Sequence, residues 1–306
     1  MIIDCHTHVW SSHEQLGRNA AAYIDRESGT LDAEALDGPR GISASPADHA
    51  LSAQCTDKTL VLGFCSLHLG ADVPNDLIAD VVLRNGERMI GIAAVDPADD
   101  GAVAKATDLL DRKQFRGLTI SPAAQNVHPA DSRAMALYEL AARKSAPVFF
   151  CQSTHFQTQG RMEYARPSLL DEIAREYAGL TIVISSLGHP WIEEGIALMG
   201  KHPRVYGDIA GLIRRPWQAY NALVLAHQYH VMDKVLFGSD FPYCTAAKAI
   251  EGVYRLHEVT QGTNLPSVPR ETLRSMVERD ALTALAIARP GEADHKPRKY
   301  HDEEVM

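Results

Sequence analysis

The residues Asp4-Cys5-His6-Thr7-His8 end the first apolar run of the chain and combine a strand pattern with two possible metal ligands. An apolar run that ends in two histidines two positions apart is typical of a buried strand whose last side chains face the same side. Neutral imidazole is a good ligand for zinc and neighbouring first-row metals, so His6 and His8 form half of a site for a divalent cation. This motif predicts a strand with a metal site at its carboxyl end.

Short runs rich in Val and Ile recur after this motif, with amphipathic stretches between them. That alternation is typical of parallel strands covered by crossover helices. The eight predicted strands cover residues 2–6, 59–65, 90–95, 117–121, 147–151, 180–185, 204–209 and 235–239. Eight strands, each followed by a helix, close a sheet on itself, so we predict an α/β fold, a (β/α)8 TIM barrel over residues 1–288.

Two segments do not belong to the repeating pattern. Residues 11–58 form a long, polar insertion after the first strand, on the side where barrel enzymes bind their substrates, and we interpret it as a lid or pocket wall or as a mobile surface excursion. Residues 289–306 are charged and nearly free of apolar side chains. We expect this tail to be extended or disordered, or to reach a neighbouring subunit in a homo-oligomer.

Composition excludes several classes of partner. The 306 residues include 39 acidic and 30 basic side chains, a formal net charge of -9, so no basic stripe is available for nucleic acid. No apolar run reaches the ~18 residues of a membrane span, and no secretory signal begins the sequence. The five cysteines form no CxxC pair, which disfavours disulfides and a four-cysteine zinc site. We therefore expect a cytoplasmic protein with reduced thiols and a small-molecule substrate.

The eighth predicted strand runs directly into Asp240. A lone Asp after a strand is usually a helix cap or a turn former, but in a closed barrel the eighth strand lies beside the first. Asp240 can then reach a cation held by His6 and His8, and it can take a proton from a water whose pKa that cation lowers. We predict Asp240 to be both a metal ligand and a catalytic base.

Three motifs together are similar to those of a known family. These are the His-x-His of the first strand, the segment Leu187-Gly-His-Pro-Trp191, and the end of the eighth strand, Phe237-Gly-Ser-Asp-Phe-Pro242. The chain resembles the amidohydrolase superfamily, in the branch of aminocarboxymuconate semialdehyde decarboxylase, the benzoate-type nonoxidative decarboxylases and the pyrone dicarboxylate lactonases. The resemblance extends over residues 1 to about 288. It implies a divalent metal, for which we expect zinc, with manganese as the alternative because the site mixes imidazole with carboxylate.

The same resemblance implies a histidine at the end of strand five and another at the end of strand six. This sequence has Cys151 and Ser186 at these places, with His155 and His189 a few residues further on. Three interpretations follow. In the first, His155 is the metal ligand and His189 is the acid/base. In the second, the thiolate of Cys151 binds the metal. In the third, the site is incomplete and catalytically weak.

Further candidates lie next to these motifs. His189 precedes Pro190, which suits the first position of a helix, and a helix N-terminus keeps a nearby imidazole neutral, as a base requires. The alternative is that His189 only caps the helix. Arg214 follows the seventh strand, where its guanidinium either binds a substrate carboxylate or is solvated at the surface. Trp10 follows the histidine pair, and its side chain either lines the pocket of an apolar substrate or packs against other side chains without contacting the substrate.

The predicted function is that of a metal-dependent hydrolase for a small carboxylated, lactone or amide substrate. The cation activates water and polarises the scissile carbonyl, and Asp240 with His189 moves protons. The first alternative is a nonoxidative decarboxylase of an aromatic or unsaturated acid, which uses the same residues. The second is a barrel that has lost turnover and serves as a binding subunit.

Overall fold

The buried apolar runs pair with one another in the order in which they occur in the chain. The computed structural model describes residues 1–18, 42–151 and 158–287, and in them eight parallel strands form one sheet. The strands are β1 (Ile3–Thr7), β2 (Lys58–Leu62), β3 (Met89–Ala94), β4 (Phe115–Ile120), β5 (Val148–Phe150), β6 (Ile182–Ile184), β7 (Val205–Asp208) and β8 (Val235–Leu236). Each overlaps one predicted run. A two-stranded antiparallel hairpin, Cys65–Ser66 with Ala71–Asp72, follows β2.

The segment after β8 returns to β1 and closes the sheet. The backbone N–H of Asp240 donates to the carbonyl of His6 over 3.0 Å, and that of His8 donates to the carbonyl of Phe241 over 2.9 Å. Thr7 and Phe241 form a parallel bridge. The predicted TIM barrel is therefore confirmed, and Asp240 lies beside the first strand because the barrel is closed.

Helices cover the outside of the barrel with their apolar faces. The α-helices of the described residues are α1 (Pro46–Ser52), α2 (Asn75–Asn85), α3 (Ala102–Asp111), α4 (Pro122–Gln125), α5 (Ser132–Arg143), α6 (Asp171–Glu176), α7 (Ile192–Lys201), α8 (Pro216–Gln228), α9 (Ala246–Arg255), α10 (Arg270–Val277) and α11 (Ala281–Ala284). Short 3-10 helices cover His13–Leu16, Ala53–Cys55, Gly86–Arg88, Met162–Ala165, Pro167–Leu170, Ser185–Gly188, Met232–Lys234 and Leu256–Thr260. Among the described helices, none combines the length and the apolar character needed to cross a membrane.

The apolar core has two main layers. One lies between the sheet and the surrounding helices. The other fills the barrel with inward-facing side chains, and the strand residues in it are Ile3, Cys5, Leu60, Leu62, Ile90, Ile92, Phe149, Val183 and Leu236. Leu282 and Leu285, in and just after α11, belong to the same cluster. Because these side chains fill the interior, the barrel is packed and has no channel through it.

A β-bulge in β1 decides which side chains reach the mouth of the barrel. Asp4 pairs with Thr59 and Thr7 pairs with Val61, so β1 has one residue more than β2 between these pairs. Ile3 and Cys5 point into the barrel interior. Because the extra residue breaks the alternation of side chains, the residue after Cys5 turns inward as well.

The described parts of the insertion are tied to the end of β1. The N–H of Trp10 donates to the carbonyl of Ala44 over 3.1 Å, and Nε2 of His13 lies 3.0 Å from the carbonyl oxygen of Ile42. Helix α1 belongs to this segment. Residues 19–41 of the insertion and the predicted tail, 289–306, lie outside the described residues, so the lid and the intersubunit arm stay predictions.

Candidate metal centre

His6 and His8 turn their Nε2 atoms toward each other at the end of β1. The two Nε2 atoms are 3.1 Å apart. On the far side of each ring, Nδ1 of His6 lies 2.8 Å from Oδ2 of Asp208, and Nδ1 of His8 lies 3.0 Å from the carbonyl oxygen of Leu62. The bulge and these two anchors bring the rings together, as the His-x-His motif predicted.

The hydrogen bonds on Nδ1 decide where the ring protons lie. A carboxylate and a carbonyl only accept, so both Nδ1 atoms carry a proton, and the two Nε2 atoms are the nitrogens that face each other. Two imidazole nitrogens at 3.1 Å need a positive charge between them, which is either a proton on His6 or a cation bound by both rings. Two Zn–N bonds of about 2.0–2.1 Å at a tetrahedral angle place their nitrogens roughly 3.3 Å apart. The geometry of the histidine pair therefore fits a divalent cation.

Asp240 adds a carboxylate to the histidine pair. One ligand atom each from His6, His8 and Asp240 forms a group whose members lie within 4.8 Å of one another. Asp240 has a φ of 66°, a left-handed conformation that Asp tolerates better than most residues. This conformation, with the N–H of Asp240 bonded to the carbonyl of His6, bends the chain at the end of the eighth strand toward the histidines. The three residues that the sequence selected are brought together.

Burial and neighbouring charges set the protonation of the three side chains. Burial lowers the pKa of His6, but the Asp208 and Asp240 carboxylates outweigh it, so the pKa of His6 lies above its ordinary value. Burial, with the neighbouring His6, lowers the pKa of His8 to about 3. Burial raises the pKa of Asp240 to about 6, although Arg214 opposes this shift. The surroundings thus favour one positive charge between the rings and a carboxyl that changes protonation near neutral pH.

Asp208, which orients His6, had no role in the predictions from the sequence. It is fully buried at the end of β7, and its Oδ1 accepts the backbone N–H groups of Ser186 and Ala210 over 2.8 and 3.0 Å while Oδ2 accepts from His6. A carboxylate behind a metal-binding imidazole fixes the tautomer and raises its basicity. Its position at a strand end was the available signal, because all eight strand ends meet at one mouth.

Asp4 ties the two ends of the site together. Its Oδ1 accepts the N–H of Ser239 over 2.9 Å and that of His6 over 3.3 Å. Burial raises the pKa of this carboxyl to about 6. Asp4, in the strand that carries the histidines, therefore fixes the residue just before Asp240.

Two glycines leave room for the ligands. A Cβ on Gly238 would lie 2.9 Å from Cβ of His6, and a Cβ on Gly211, which has a φ of 71°, would lie 2.9 Å from Oδ2 of Asp240. Contacts this short force a neighbour to move. Glycine at these positions therefore allows the imidazole and the carboxylate to occupy their places.

The residues at the ends of strands five and six are small and polar. Oγ of Ser185 lies 3.8 Å from Sγ of Cys151 and 3.5 Å from Nδ1 of His6. Strand β6 ends at Ile184, and the side chain of Ser186 donates to the carbonyl of Ala210 over 2.7 Å, so the correspondence of Ser186 to the family's histidine stays a prediction. Burial raises the pKa of Cys151 to about 12, so the thiol keeps its proton.

Cys151 and His189 are not members of the three-residue group in the described part of the chain. His155 lies outside the described residues, so its proposed role as a ligand stays a prediction. Among the described residues, the histidine pair and Asp240 thus form the group that could hold a metal ion.

The prediction that His189 lies at a helix N-terminus is wrong. Helix α7 begins at Ile192, because Ser186 and Leu187 have positive φ values of 53° and 51° and a turn follows them. The pKa of His189 is nevertheless lowered, by burial and by the nearby charge of Arg215. The ring is neutral near pH 7, as predicted, but for a different reason.

The two predicted substrate-binding residues flank Asp240. Nη2 of Arg214 lies 3.6 Å from Oδ2 of Asp240, and its guanidinium lies over the ring of Tyr243 at 5.3 Å from the centroid. Trp10 is only 4% exposed and packs in an apolar cluster with Phe241 and Tyr243. Both side chains are therefore at the mouth of the barrel, and their contact with a substrate stays a prediction.

Comparisons with known proteins agree with this architecture. The sequence model of a protein family described as amidohydrolase matches residues 3–273. A search of curated proteins gives no match. A TIM-barrel protein from Bordetella bronchiseptica has a TM-score of 0.70 at 18% identity, over 93% of this chain and 98% of its own.

Two similar solved structures contain metals. An amidohydrolase from Burkholderia multivorans with bound zinc has a TM-score of 0.62 at 16% identity, over 94% of this chain and 100% of its own. A 5-carboxyvanillate decarboxylase from Novosphingobium aromaticivorans, in complex with manganese and 4-hydroxy-3-methoxy-5-nitrobenzoic acid, has a TM-score of 0.63 at 13% identity, over 94% and 96% of the two chains. At these identities the likeness shows a shared fold.

Proposed function

The chain belongs to the amidohydrolase family, and from this premise we propose that it is a metal-dependent hydrolase of a small carboxylated, lactone or amide substrate. The observation that carries the proposal is the pair of Nε2 atoms of His6 and His8, 3.1 Å apart, with the carboxylate of Asp240 beside them. Zinc suits this set of two imidazoles and one carboxylate, and manganese is the alternative.

Each residue of the site has a part in this reaction. His6, His8 and Asp240 would hold the divalent cation, which would lower the pKa of a water and polarise a carbonyl group. Asp240, whose pKa burial raises to about 6, accepts a proton from the attacking water and returns it to the leaving group. Arg214, beside Asp240, holds a carboxylate of the substrate. His189 is a second proton carrier, from the loop after β6.

The first experiment measures metal and needs no substrate. Protein purified without chelator is expected to contain about one equivalent of zinc or manganese, because a preformed ligand set retains its ion. The double variant His6→Ala, His8→Ala is expected to lose it, whereas His128→Ala, a histidine outside the three-residue group, keeps it. Less than about a tenth of an equivalent, unchanged after adding zinc or manganese, would contradict the proposal and favour a barrel that only binds.

The second experiment asks for the reaction. The metal-loaded protein is incubated with lactones and with amides of small carboxylic acids, and ring opening or amide cleavage is followed. We expect turnover with at least one of these classes, and a loss of about a hundredfold or more in Asp240→Asn, which lacks the proton acceptor. Hydrolysis that is unchanged in this variant would remove Asp240 from the mechanism.

A nonoxidative decarboxylase is the second candidate. The observation in its favour is the position of Asp240 beside the histidine pair, because an acid group there lies next to the place where a bound substrate loses its carboxylate. In that reaction the bond between the substrate and its carboxylate breaks, carbon dioxide leaves, and the carbon takes the proton. Carbon dioxide release from hydroxybenzoate-type acids, with no hydrolysis of lactones or amides, would establish this candidate instead.

A further inference from the structure

Helix α1 of the inserted segment carries a histidine that contacts the middle of the metal-binding motif. His49 is only 1% exposed, and its Nε2 lies 2.8 Å from Oγ1 of Thr7, the residue between the two histidines of the metal group. Its ring also packs edge-on against Phe241, with the centroids 5.3 Å apart. Phe241 follows Asp240. His49 thus contacts a sequence neighbour of His6, of His8 and of Asp240.

The direction of the hydrogen bonds around Thr7 is fixed. Its Oγ1 lies 2.7 Å from the carbonyl oxygen of Leu60, which only accepts, so the hydroxyl proton of Thr7 points there. In the second hydrogen bond of Oγ1, the Nε2–H of His49 is therefore the donor. Nδ1 of His49 then has no proton and, among the described residues, no hydrogen-bond partner although it is buried. A buried nitrogen without a hydrogen-bond partner lowers the free energy of unfolding, so the imidazole at this position destabilises the fold in this respect.

The bulge in β1 explains what the hydrogen bond from His49 achieves. Leu60 lies opposite the extra residue of β1, between the paired positions Thr59 and Val61. A bulge interrupts the regular backbone ladder, and at this point the hydroxyl of Thr7 donates to the carbonyl of Leu60. The N–H of His49 holds that hydroxyl in one orientation. The series His49, Thr7, Leu60 therefore fixes β1 at the point where its side chains change sides.

We propose that His49 is a positioning residue of the metal centre, which acts through Thr7 to keep the bulge in the shape that aims His6 and His8 at one cation. The inserted segment then takes part in building the site and does not only surround it. This inference rests on the proposed function, because it assumes that the histidine pair binds a metal.

The test compares metal binding in four proteins. His49→Phe keeps an aromatic ring against Phe241 and removes the donor, whereas His49→Gln keeps an N–H that can reach Thr7. Ser45→Ala is the matched control on the same helix, because it removes the side chain that caps α1 at the N–H of Asp48 and leaves His49 in place. Zinc affinity is measured by competition with a chelator, and the visible spectrum of the Co²⁺-loaded protein reports the geometry of the ligands.

We expect His49→Phe to bind zinc about tenfold more weakly and to change the Co²⁺ spectrum, because outer partners of metal ligands typically contribute about 10–100-fold to affinity. His49→Gln and Ser45→Ala should stay within about twofold of the parent protein and keep its spectrum. If His49→Phe keeps both the affinity and the spectrum, His49 does not position the metal centre. If Ser45→Ala is as weak as His49→Phe, the stability of α1 is the cause and the proposal is also wrong.

A double-mutant cycle locates the effect at Thr7. Thr7→Val removes the hydroxyl at nearly constant shape, and the pair Thr7→Val, His49→Phe should bind zinc no more weakly than Thr7→Val alone, because both changes break the same connection. Independent losses that multiply would contradict the proposed path through Thr7. A parent protein that binds neither zinc nor Co²⁺ would instead refute the proposed function, so the two failures are distinct.

Discussion

Asp208 determines which nitrogen of His6 is free to bind a cation. Its Oδ1 accepts two backbone N–H groups, from Ser186 and Ala210, and its Oδ2 accepts from Nδ1 of His6. In Asp208→Asn the amide oxygen must face the two backbone donors, so the amide NH₂ faces Nδ1 of His6. That nitrogen must then accept, and the ring proton moves to Nε2, where it blocks the metal.

We therefore predict that Asp208→Asn weakens zinc binding by about a hundredfold, the upper end for an outer partner of a metal ligand. Competition with a chelator measures the affinity, and NMR of ¹⁵N-labelled histidine reports the tautomer of His6. Asp96→Asn is the control, because Asp96 is also a buried carboxylate that accepts two backbone N–H groups, from Leu67 and Ala98, in another loop. Equal affinities for the Asp208 and Asp96 variants would show that the carboxylate does not set the tautomer.

His49 also makes stability depend on pH. Burial lowers its pKa to about 4 from an ordinary value of 6.5, so below pH 6.5 the unfolded chain binds a proton that the folded chain refuses. The free energy of unfolding should fall as the pH drops from 6.5 to about 4, by ~3 kcal/mol from this residue, and should be insensitive to His49 above 6.5.

Urea unfolding of the parent protein and of His49→Gln at pH 7.5 and pH 4.5 checks this prediction, since other groups titrate in both proteins. The parent should lose ~2–3 kcal/mol more than the variant on acidification. A loss of equal size in the two proteins would mean that His49 is protonated in the folded state.

At the scale of elements, the junction between β8 and β1 is where the barrel closes and the site forms. Gly238 lies in this junction, and a Cβ added there would lie 2.9 Å from Cβ of His6. We predict that Gly238→Ala pushes the imidazole away from His8 and weakens zinc binding by at least about tenfold, while overpacking lowers the free energy of unfolding by ~1–3 kcal/mol.

Gly179→Ala is the matched control for this substitution, because nothing lies within 4 Å of a Cβ at that position. Its metal affinity should equal that of the parent protein, measured by the same chelator competition. If Gly238→Ala also binds zinc like the parent, the backbone of the junction moves to accommodate the added Cβ, and the prediction is wrong.

The elements were predictable where one physical pattern dominated. Each of the eight apolar runs became a strand, because a strand buried on both faces needs a continuous apolar sequence. The start of α7 was missed, since Pro190 fits a turn as well as the first position of a helix, and the positive φ values of Ser186 and Leu187 have no clear sequence signal.

The site was predictable to the extent that its ligands follow strands. His6, His8 and Asp240, which the structure brings together, were selected in this way, and Asp208 could have been, because it ends the seventh strand. The roles of His49 and of the β1 bulge could not have been found, since they depend on the pairing register of β1 with β2 and on where an inserted helix packs.

At the scale of the whole molecule, binding and stability are located at different ends of the barrel. The metal centre lies where β1 ends, whereas α11 contacts β1 and places Leu282 in the interior cluster that contains Ile3, the first residue of that strand. The fully buried Leu282 therefore closes the interior at the end away from the ligands. A change there should alter the free energy of unfolding without altering the site.

We predict that Leu282→Ala lowers the free energy of unfolding by ~2–5 kcal/mol, because it removes a buried side chain and leaves a cavity in a packed interior. Zinc affinity, measured well below the midpoint of thermal unfolding, should stay within about twofold of the parent, since the ligands are held by contacts at the mouth. Leu83→Ala is the matched control, because Leu83 is 63% exposed on α2, and its change in stability should stay below ~0.5 kcal/mol. If Leu282→Ala also weakened zinc binding by tenfold while the protein remained folded, the interior would transmit strain to the mouth, and the barrel could not be treated as a rigid support with a separate site.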